Sequence, residues 1–175
     1  MNKAYKAVFI FIASIVIILL LSIIKSNLQN NLQLQNDQET VFVLQDVFPD
    51  VEYYSFDEEQ EIYQVYDYNK HGLGYAFFTE GHGYGGVIHI LVGLEDKETI
   101  KGISIISHNE QLSMGYTTVE LDFTTFIEQF KNLKINDCYL NENNDKIDAI
   151  TKATISSEAV VDIVREAVLE KSKLI

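Results

Sequence analysis

An uncharged apolar run near the amino terminus most constrains how this chain can fold. Ala7 to Ile24 are 18 consecutive uncharged residues between Lys6 and Lys25. As an α-helix this run would be about 27 Å long, enough to cross the hydrocarbon core of a bilayer. A cleaved signal peptide has a shorter apolar core, of roughly 7–15 residues, and a small-residue cleavage site that Ser22–Ser26 does not supply. We therefore predict a transmembrane anchor within residues 1–25.

The distribution of charge predicts how the anchor is oriented and which partners are excluded. Lys3 and Lys6 precede the apolar run, whereas the 150 residues after Lys25 carry 10 basic and all 26 acidic side chains. The positive-inside tendency then keeps the amino terminus in the cytoplasm and places the following domain outside. The formal net charge is −13, with Arg165 as the only arginine, so a basic surface for nucleic acid is not expected.

The remaining sequence predicts an α+β domain over residues 41–175, joined to the anchor by a polar stalk over residues 26–40. Asp37 is placed to cap a short helix that runs through Phe48 and is stopped by Pro49. Two further helices are expected, one on the Phe123–Phe130 stripe and one near the carboxyl terminus. Period-two runs of β-branched and aromatic residues predict an antiparallel meander of four strands, at Ile62–Tyr68, Gly74–Thr79, Gly86–Leu94 and Ile100–Ser107.

The start of the last helix is rich in hydroxyl groups. Apolar residues recur at helical spacing from Ser157 onward, so Thr154, Ser156 and Ser157 fall at or just before a helix amino terminus. Such an end attracts anions, because its backbone N–H groups lack partners and the helix dipole is positive there. Two interpretations are open: Thr154 or Ser157 is only an N-cap, or a hydroxyl here carries a phosphate ester.

The residues leading into this helix carry a resemblance to a known family. Asp148-x-x-Thr151-x-Ala153-Thr154 resembles the D-x-x-[S/T]-G-A-T flavinylation motif of the FMN-binding domain. That domain is shared by the G subunit of Rnf-type electron-transport complexes and the C subunit of sodium-pumping NADH:quinone reductases. The resemblance implies that Thr154 carries FMN through a phosphoester bond, attached by a flavin transferase that uses FAD and magnesium. Lys152 stands where the family usually has glycine.

Two upstream segments extend the resemblance. Gly83-Tyr84-Gly85-Gly86 is similar to the family's G-Y-x-G strand entry, and on its own it is either a tight hairpin connection or a loop that approaches a cofactor. His108-x-Glu110 and Gly115 match the family's H-x-E-T-P-G-L-G loop, which the resemblance places beside the isoalloxazine ring. Leu112 and Ser113 depart from that loop. Taken alone, His108 and Glu110 are either a proton-transfer pair or ordinary exposed residues.

Other chemistries are poorly supported by the sequence. The four histidines form no helical His-x-x-x-His pair and have no cysteine partner, so a metal site is not expected. Cys138 is the only cysteine, and a buried or loop thiol is the default interpretation. Ser156 and Ser157 lack the G-x-S-x-G turn of a nucleophilic serine.

The resemblance implies an electron carrier rather than a self-sufficient enzyme. The expected cofactor is covalent FMN, and the expected partners are the lipid bilayer, a flavin transferase and other members of a membrane redox complex. Tethering would keep the flavin at the protein however weak its non-covalent binding. The alternative is a flavin-free, membrane-tethered interaction or regulatory module with the same fold, which Lys152 and the altered 111–114 loop favour.

Overall fold

The computed structural model describes residues 34–114, 117–140 and 147–175. The predicted anchor Ala7–Ile24 and most of the predicted stalk lie outside these ranges. Within them, no helix is both long enough and apolar enough to span a bilayer. The described residues form a sheet-rich domain with a few helices, which agrees with the predicted α+β class.

An antiparallel meander forms the body of the domain. The strands are β1 Tyr53–Asp57, β2 Ile62–Tyr66, β3 Gly72–His82, β4 Val87–Asp96, β5 Thr99–Ser107, β6 Gln111–Met114, β7 Thr117–Glu120 and β8 Leu133–Lys134. In the main sheet they lie in the order β1-β2-β3-β4-β5-β8, so five strands that are consecutive in sequence are neighbours. A separate hairpin, β6-β7, follows β5.

The four predicted strands are confirmed as β2 to β5, with shifted ends. The predicted loop over 108–115 is wrong in part, because residues 111–114 form β6, which pairs with β7. The edge strand β1 was not predicted at all. It pairs residue for residue with β2, from Tyr53 opposite Tyr66 to Asp57 opposite Ile62.

Helical segments complete the fold of the described residues, and one of them is a 3-10 turn, Ile135–Asp137, directly after β8. The first, α1, spans Gln38–Gln45, and Asp37 Oδ1 accepts a hydrogen bond from Thr40 N–H at 3.0 Å, which confirms the predicted cap. The helix ends at Gln45 and does not run through Phe48, contrary to prediction. The Asp46 and Val47 N–H groups donate to carbonyls three residues back, at Val43 and Leu44, and these bonds tighten and end the last turn. The stripe helix is short, with α2 over Thr124–Ile127 continuing as a 3-10 turn to Phe130. The last helix, α3, spans Thr154–Lys171.

Helices pack on both faces of the sheet, with α3 over one face and α1 over one end of the other. The apolar residues of β4 are divided between the two faces of the sheet, because successive side chains in a strand point to opposite faces. Full burial of each aliphatic side chain stabilises the fold by roughly 1.5–3 kcal/mol. The cluster beneath α3 includes Phe77, Ile88, Ile90, Val92, Val160, Val164 and Val168. The cluster beneath α1 includes Leu44, Val47, Phe48, Val65, Ala76 and Leu91.

One hydrogen bond joins α1 to the edge strand. The Tyr54 hydroxyl donates to Asp37 Oδ2. This bond, and after it the one from Thr40 N–H, lowers the pKa of the Asp37 carboxyl below its ordinary value of 3.8. Because the folded pKa lies below the unfolded one, the ionised carboxylate stabilises the fold above pH 3.8, and this contribution is lost as the pH falls through the folded pKa.

We expect Tyr54→Phe to raise the pKa of Asp37 toward 3.8, because the ring is kept while the hydroxyl donor is lost. The free energy of unfolding should then fall less steeply below about pH 4. An NMR titration of the carboxyl carbons measures the shift, with Tyr53→Phe on the same strand as the matched control. An Asp37 pKa that is the same in both variants would contradict this role of Tyr54.

Candidate functional site

The helix α3 begins at Thr154, the last residue of the motif that resembles a flavinylation site. Thr154 is the first helical residue and is exposed, while Ala153, with φ −130° and ψ 37°, is the N-cap. Among the described residues no side chain caps this end of the helix. The expectation that Thr154 or Ser157 is the N-cap is therefore wrong. Since the first N–H groups of a helix have no intrahelical acceptor, backbone donors lie beside an exposed hydroxyl.

A tight turn directly precedes α3. The Ala153 N–H donates to the Ile150 carbonyl at 2.9 Å, with Thr151 and Lys152 exposed at the centre of the turn. Lys152 has a φ of +66°. This left-handed conformation costs a residue with a side chain about 1–2 kcal/mol, and glycine adopts it freely. The backbone therefore explains why the family motif has glycine at this position.

Ser157 holds the turn against the helix. Its hydroxyl is buried, donates to the Ala153 carbonyl at 3.0 Å and accepts from the Ile150 N–H at 2.9 Å. The Ser157 N–H also donates to the Ala153 carbonyl, at 2.9 Å. This serine was singled out as a candidate cofactor contact, and the structure places its side chain inside the turn, where it fixes the approach to Thr154.

A buried carboxylate connects this helix to two distant segments. Glu110 is fully buried, and its Oε1 accepts from the Gly85 N–H at 2.7 Å. Its Oε2 accepts from the Tyr84 N–H at 3.1 Å and from the Ser156 hydroxyl. Two backbone donors and one hydroxyl thus solvate a carboxylate that water does not reach. Hydrogen bonds to a charged group are stronger than those between neutral groups, so the three bonds to Glu110 fix the β3-β4 turn to the start of α3.

The glycine-rich segment is a tight hairpin turn. Gly83 N–H donates to the Gly86 carbonyl at 2.7 Å between β3 and β4, and the Tyr84 side chain at its tip is 74% exposed. A Cβ on Gly83 would lie 2.4 Å from Glu110 Oε1, and a Cβ on Gly85 would lie 2.2 Å from the Asn109 carbonyl oxygen. The glycines therefore admit the buried carboxylate and the 109–110 backbone.

His108 is partly buried rather than an exposed loop residue, which corrects the second sequence interpretation. Its ring packs edge-on against Phe123 with centroids 5.0 Å apart. Its Nδ1 accepts from the Glu110 N–H at 3.2 Å, and its Nε2 lies 3.7 Å from Glu120 Oε1. His108 thus meets Glu110 through the backbone, while the Glu110 carboxylate points to Ser156. A cavity of about 440 Å³ borders His108 and Glu120.

Asp148 is positioned by a residue that the sequence did not reveal. Its N–H donates to Gln129 Oε1 at 2.8 Å, and Gln129 Nε2 donates to its carbonyl at 3.1 Å. The two hydrogen bonds fix the start of the motif to the 3-10 turn after α2. Gln129 was missed because it stands between core residues of the Phe126–Phe130 stripe and has no motif of its own. Gly115, another candidate, lies outside the described residues.

Cys138 is a core residue, in the same hydrophobic cluster as Ala153 and Val161. Its side chain is completely buried, and burial raises the pKa of the thiol to about 12. It is a protonated core thiol at neutral pH, which confirms the default interpretation.

Comparison with known proteins gives a consistent result. The model of the FMN-binding domain family matches residues 83–169, a range that contains the glycine turn, Glu110 and the start of α3. The G subunit of the ion-translocating oxidoreductase complex of Methanosarcina acetivorans is 37% identical over 109 residues, which cover 61% of this chain and 55% of that protein. The G subunit of the proton-translocating ferredoxin:NAD(+) oxidoreductase complex of Clostridium ljungdahlii is 33% identical over 144 residues, or 80% of this chain and 73% of that protein.

Among solved structures, NqrC of Shewanella oneidensis aligns with a TM-score of 0.46 and 15% identity, over 70% of each chain.

Glu110→Gln should lower the free energy of unfolding by about 1–3 kcal/mol, because the new amide nitrogen would face a backbone N–H and leave a buried donor unsatisfied. Chemical denaturation measures the change. Glu120→Gln is the matched control, since that side chain is 81% exposed and should shift stability by less than about 0.5 kcal/mol. Equal effects of the two substitutions would contradict the role assigned to Glu110.

Lys152→Gly should stabilise the protein by about 0.5–1 kcal/mol, since relief of the left-handed strain exceeds the added entropy of the unfolded chain. Thermal denaturation of the two proteins tests this. Lys152→Ala removes the same charge but keeps a Cβ, so it should give no gain. A gain as large in Lys152→Ala as in Lys152→Gly would attribute the effect to charge instead of backbone conformation.

Proposed function

Because the chain belongs to the FMN-binding domain family, we propose that it is an electron-transfer flavoprotein that carries FMN on Thr154 through a phosphoester bond. The observation that carries this proposal is the position of Thr154. It is the exposed first residue of α3, at the end of the Asp148-x-x-Thr151-x-Ala153-Thr154 motif, and no side chain in the described part of the chain caps the helix there.

The residues at this helix start fit a phosphate. The first N–H groups of α3 point out of the helix end, and the positive end of the dipole favours an anion in the same place. Lys152 is exposed two residues before Thr154, so its ammonium can approach a phosphate diester. Ser157 and Glu110 contribute indirectly, since they hold the turn and the helix start in position.

Attachment requires a separate flavin transferase and FAD. The Thr154 Oγ1 would form a bond to the flavin-side phosphorus of FAD while the bond between the two phosphates breaks. The hydroxyl proton is lost and AMP leaves, so the products are the FMN ester of Thr154 and AMP. The exposure of Thr154 gives a transferase access without unfolding α3.

FMN, once attached, supplies one-electron and two-electron redox chemistry. The chain itself would position the ring and limit its contact with water. His108, which the family resemblance places beside the ring, borders a cavity of about 440 Å³. That volume is in the range of roughly 300–1,000 Å³ typical of ligand sites. The Tyr84 ring is exposed at the tip of the hairpin. The Tyr84 N–H and the Ser156 hydroxyl both donate to Glu110, which joins the hairpin tip to the first turn of α3.

The relatives suggest where such a carrier works. Their names describe subunits of ion-translocating and ferredoxin:NAD(+) oxidoreductase complexes. We propose that this chain likewise exchanges electrons with other members of a membrane redox complex, and that the apolar run Ala7–Ile24 anchors it with the domain outside the cytoplasm. One predicted span cannot itself move ions, so any ion transport would belong to the partner proteins.

Thr154→Ala should abolish covalent flavin. The full chain is co-expressed with a flavin transferase, separated on a denaturing gel and viewed under ultraviolet light. The parent band should fluoresce and the Thr154→Ala band should not. Thr124→Ala is the matched control, because Thr124 is also the exposed first residue of a helix but lacks the motif, and its band should keep the signal.

The same gel distinguishes the alternatives. Fluorescence that persists in Thr154→Ala would move the attachment to another residue. A parent band without fluorescence, in cells where a known flavinylated protein is labelled, would favour the flavin-free interaction module.

A further inference from the structure

The sheet face opposite α3 is only half covered. The helix α1 and the residues after it cover one end of this face through Leu44 and Phe48. Phe78 lies on the same face, because its neighbour Phe77 points into the cluster beneath α3. Around Phe78 a groove of about 810 Å³ is open. We call it the sheet groove; its principal lining residues are Phe56, Glu61, Tyr63, Phe78, Glu80 and Ile106.

The floor of the sheet groove is aromatic. Tyr63 stacks against Phe56 with ring centroids 4.5 Å apart, and meets Phe78 edge-on at 5.9 Å. Phe56 remains 37% exposed, Ile106 43% and Phe78 47%. Three large apolar side chains exposed side by side on a sheet face form a patch of the kind that marks an interaction site, whereas scattered apolar residues do not.

The rim of the sheet groove is acidic. Glu61 and Glu80 line the groove. The β1-β2 turn that ends at Glu61, Asp57-Glu58-Glu59-Gln60-Glu61, carries four exposed carboxylates in five residues next to it. Glu80 adds a fifth and is 66% exposed. Two basic groups face this rim: His89 Nδ1 lies 3.0 Å from Glu80 Oε2, and Lys171 Nζ lies 3.8 Å from Glu61 Oε2. Carboxylates therefore outnumber basic groups, and the groove has a negative potential.

We propose that the sheet groove docks a partner protein through a segment in which apolar side chains are flanked by lysine or arginine. The apolar side chains would pack on Phe56 and Phe78, and the basic ones would pair with Glu61, Glu80 and the β1-β2 turn. Aromatic anchors supply most of the affinity in such interfaces, and the charged rim supplies partner selection and association rate. The proposal goes beyond the flavin site and does not depend on it.

A pair of synthetic peptides tests the proposal. One alternates leucine and phenylalanine with lysine over about 15 residues; the other has glutamate in place of every lysine. Each is titrated by fluorescence anisotropy into the full chain in nanodiscs of neutral phosphatidylcholine, with empty nanodiscs as the blank. The lysine peptide should bind at least tenfold more tightly than the glutamate peptide. Phe78→Ala should weaken its binding about tenfold or more.

Two variants make the test specific. Phe42→Ala removes an equally large ring that is 72% exposed on α1, outside the groove, and should leave the affinity unchanged. Glu61→Lys combined with Glu80→Lys should weaken the lysine peptide and strengthen the glutamate peptide. Equal binding of both peptides by the parent, or equal effects of Phe78→Ala and Phe42→Ala, would overturn the proposal. Self-association of the parent that Phe78→Ala abolishes would assign the groove to a second copy instead, and would also overturn it.

Discussion

The buried carboxylate of Glu110 is the contact on which the arrangement of the site depends. It accepts hydrogen bonds from the hairpin turn at Tyr84 and Gly85 and from Ser156 in the first turn of α3. A carboxylate without water is tolerated only when donors replace its hydration, so the three segments must stay in register for the group to remain satisfied. Glycine at positions 83 and 85 follows from the same contact, since a Cβ at either would collide with Glu110 or with the chain beside it.

The contacts of Glu110 join the sheet and α3 to the residues of the candidate site. The antiparallel sheet fixes where β3 ends and β4 begins, and the packing of Val160 and Val164 fixes α3 against that sheet. Glu110 then ties the two together at the helix start. Thr154 stays outside this network, exposed and at the helix end, so the rigid residues position a hydroxyl that is itself accessible. The proposed carrier, which a transferase would modify before it meets redox partners, needs an accessible hydroxyl on a fixed framework.

The sequence predicted the elements with clear periodicity. Strands β2 to β5 have β-branched and aromatic residues in sufficient number to be recognised, and α1 was placed through its cap at Asp37. The edge strand β1 was missed although Tyr53, Tyr54 and Phe56 favour a strand, because Tyr53–Asp57 runs directly into an acidic turn and its pairing with β2 is seen only in the structure. The β6 strand was missed because Gln111–Met114 lacks β-branched residues. In β6, pairing with β7 outweighs a weak local preference.

The sequence singled out residues of the candidate site but did not reveal the contacts between them. The motif singled out Thr154, yet apolar spacing alone set the helix start near Ser157, because Ser156 and Ser157 look like caps. Their hydroxyls instead face inward, to Glu110 and to the Ile150–Ala153 turn. Glu110 and Ser156 are 46 residues apart in the chain, and no local pattern reveals such a pair. The left-handed backbone at Lys152 was equally hidden until the turn was seen.

The proposed function requires that Thr154 is esterified with FMN in the native protein. Mass spectrometry of the peptide that contains Thr154, prepared from native membranes, tests this most directly. The account predicts that the peptide carries the mass of FMN less one water, with fragment ions that place the addition on Thr154. A Thr154 peptide recovered only in its unmodified form, from membranes in which other flavinylated proteins are detected, would contradict it.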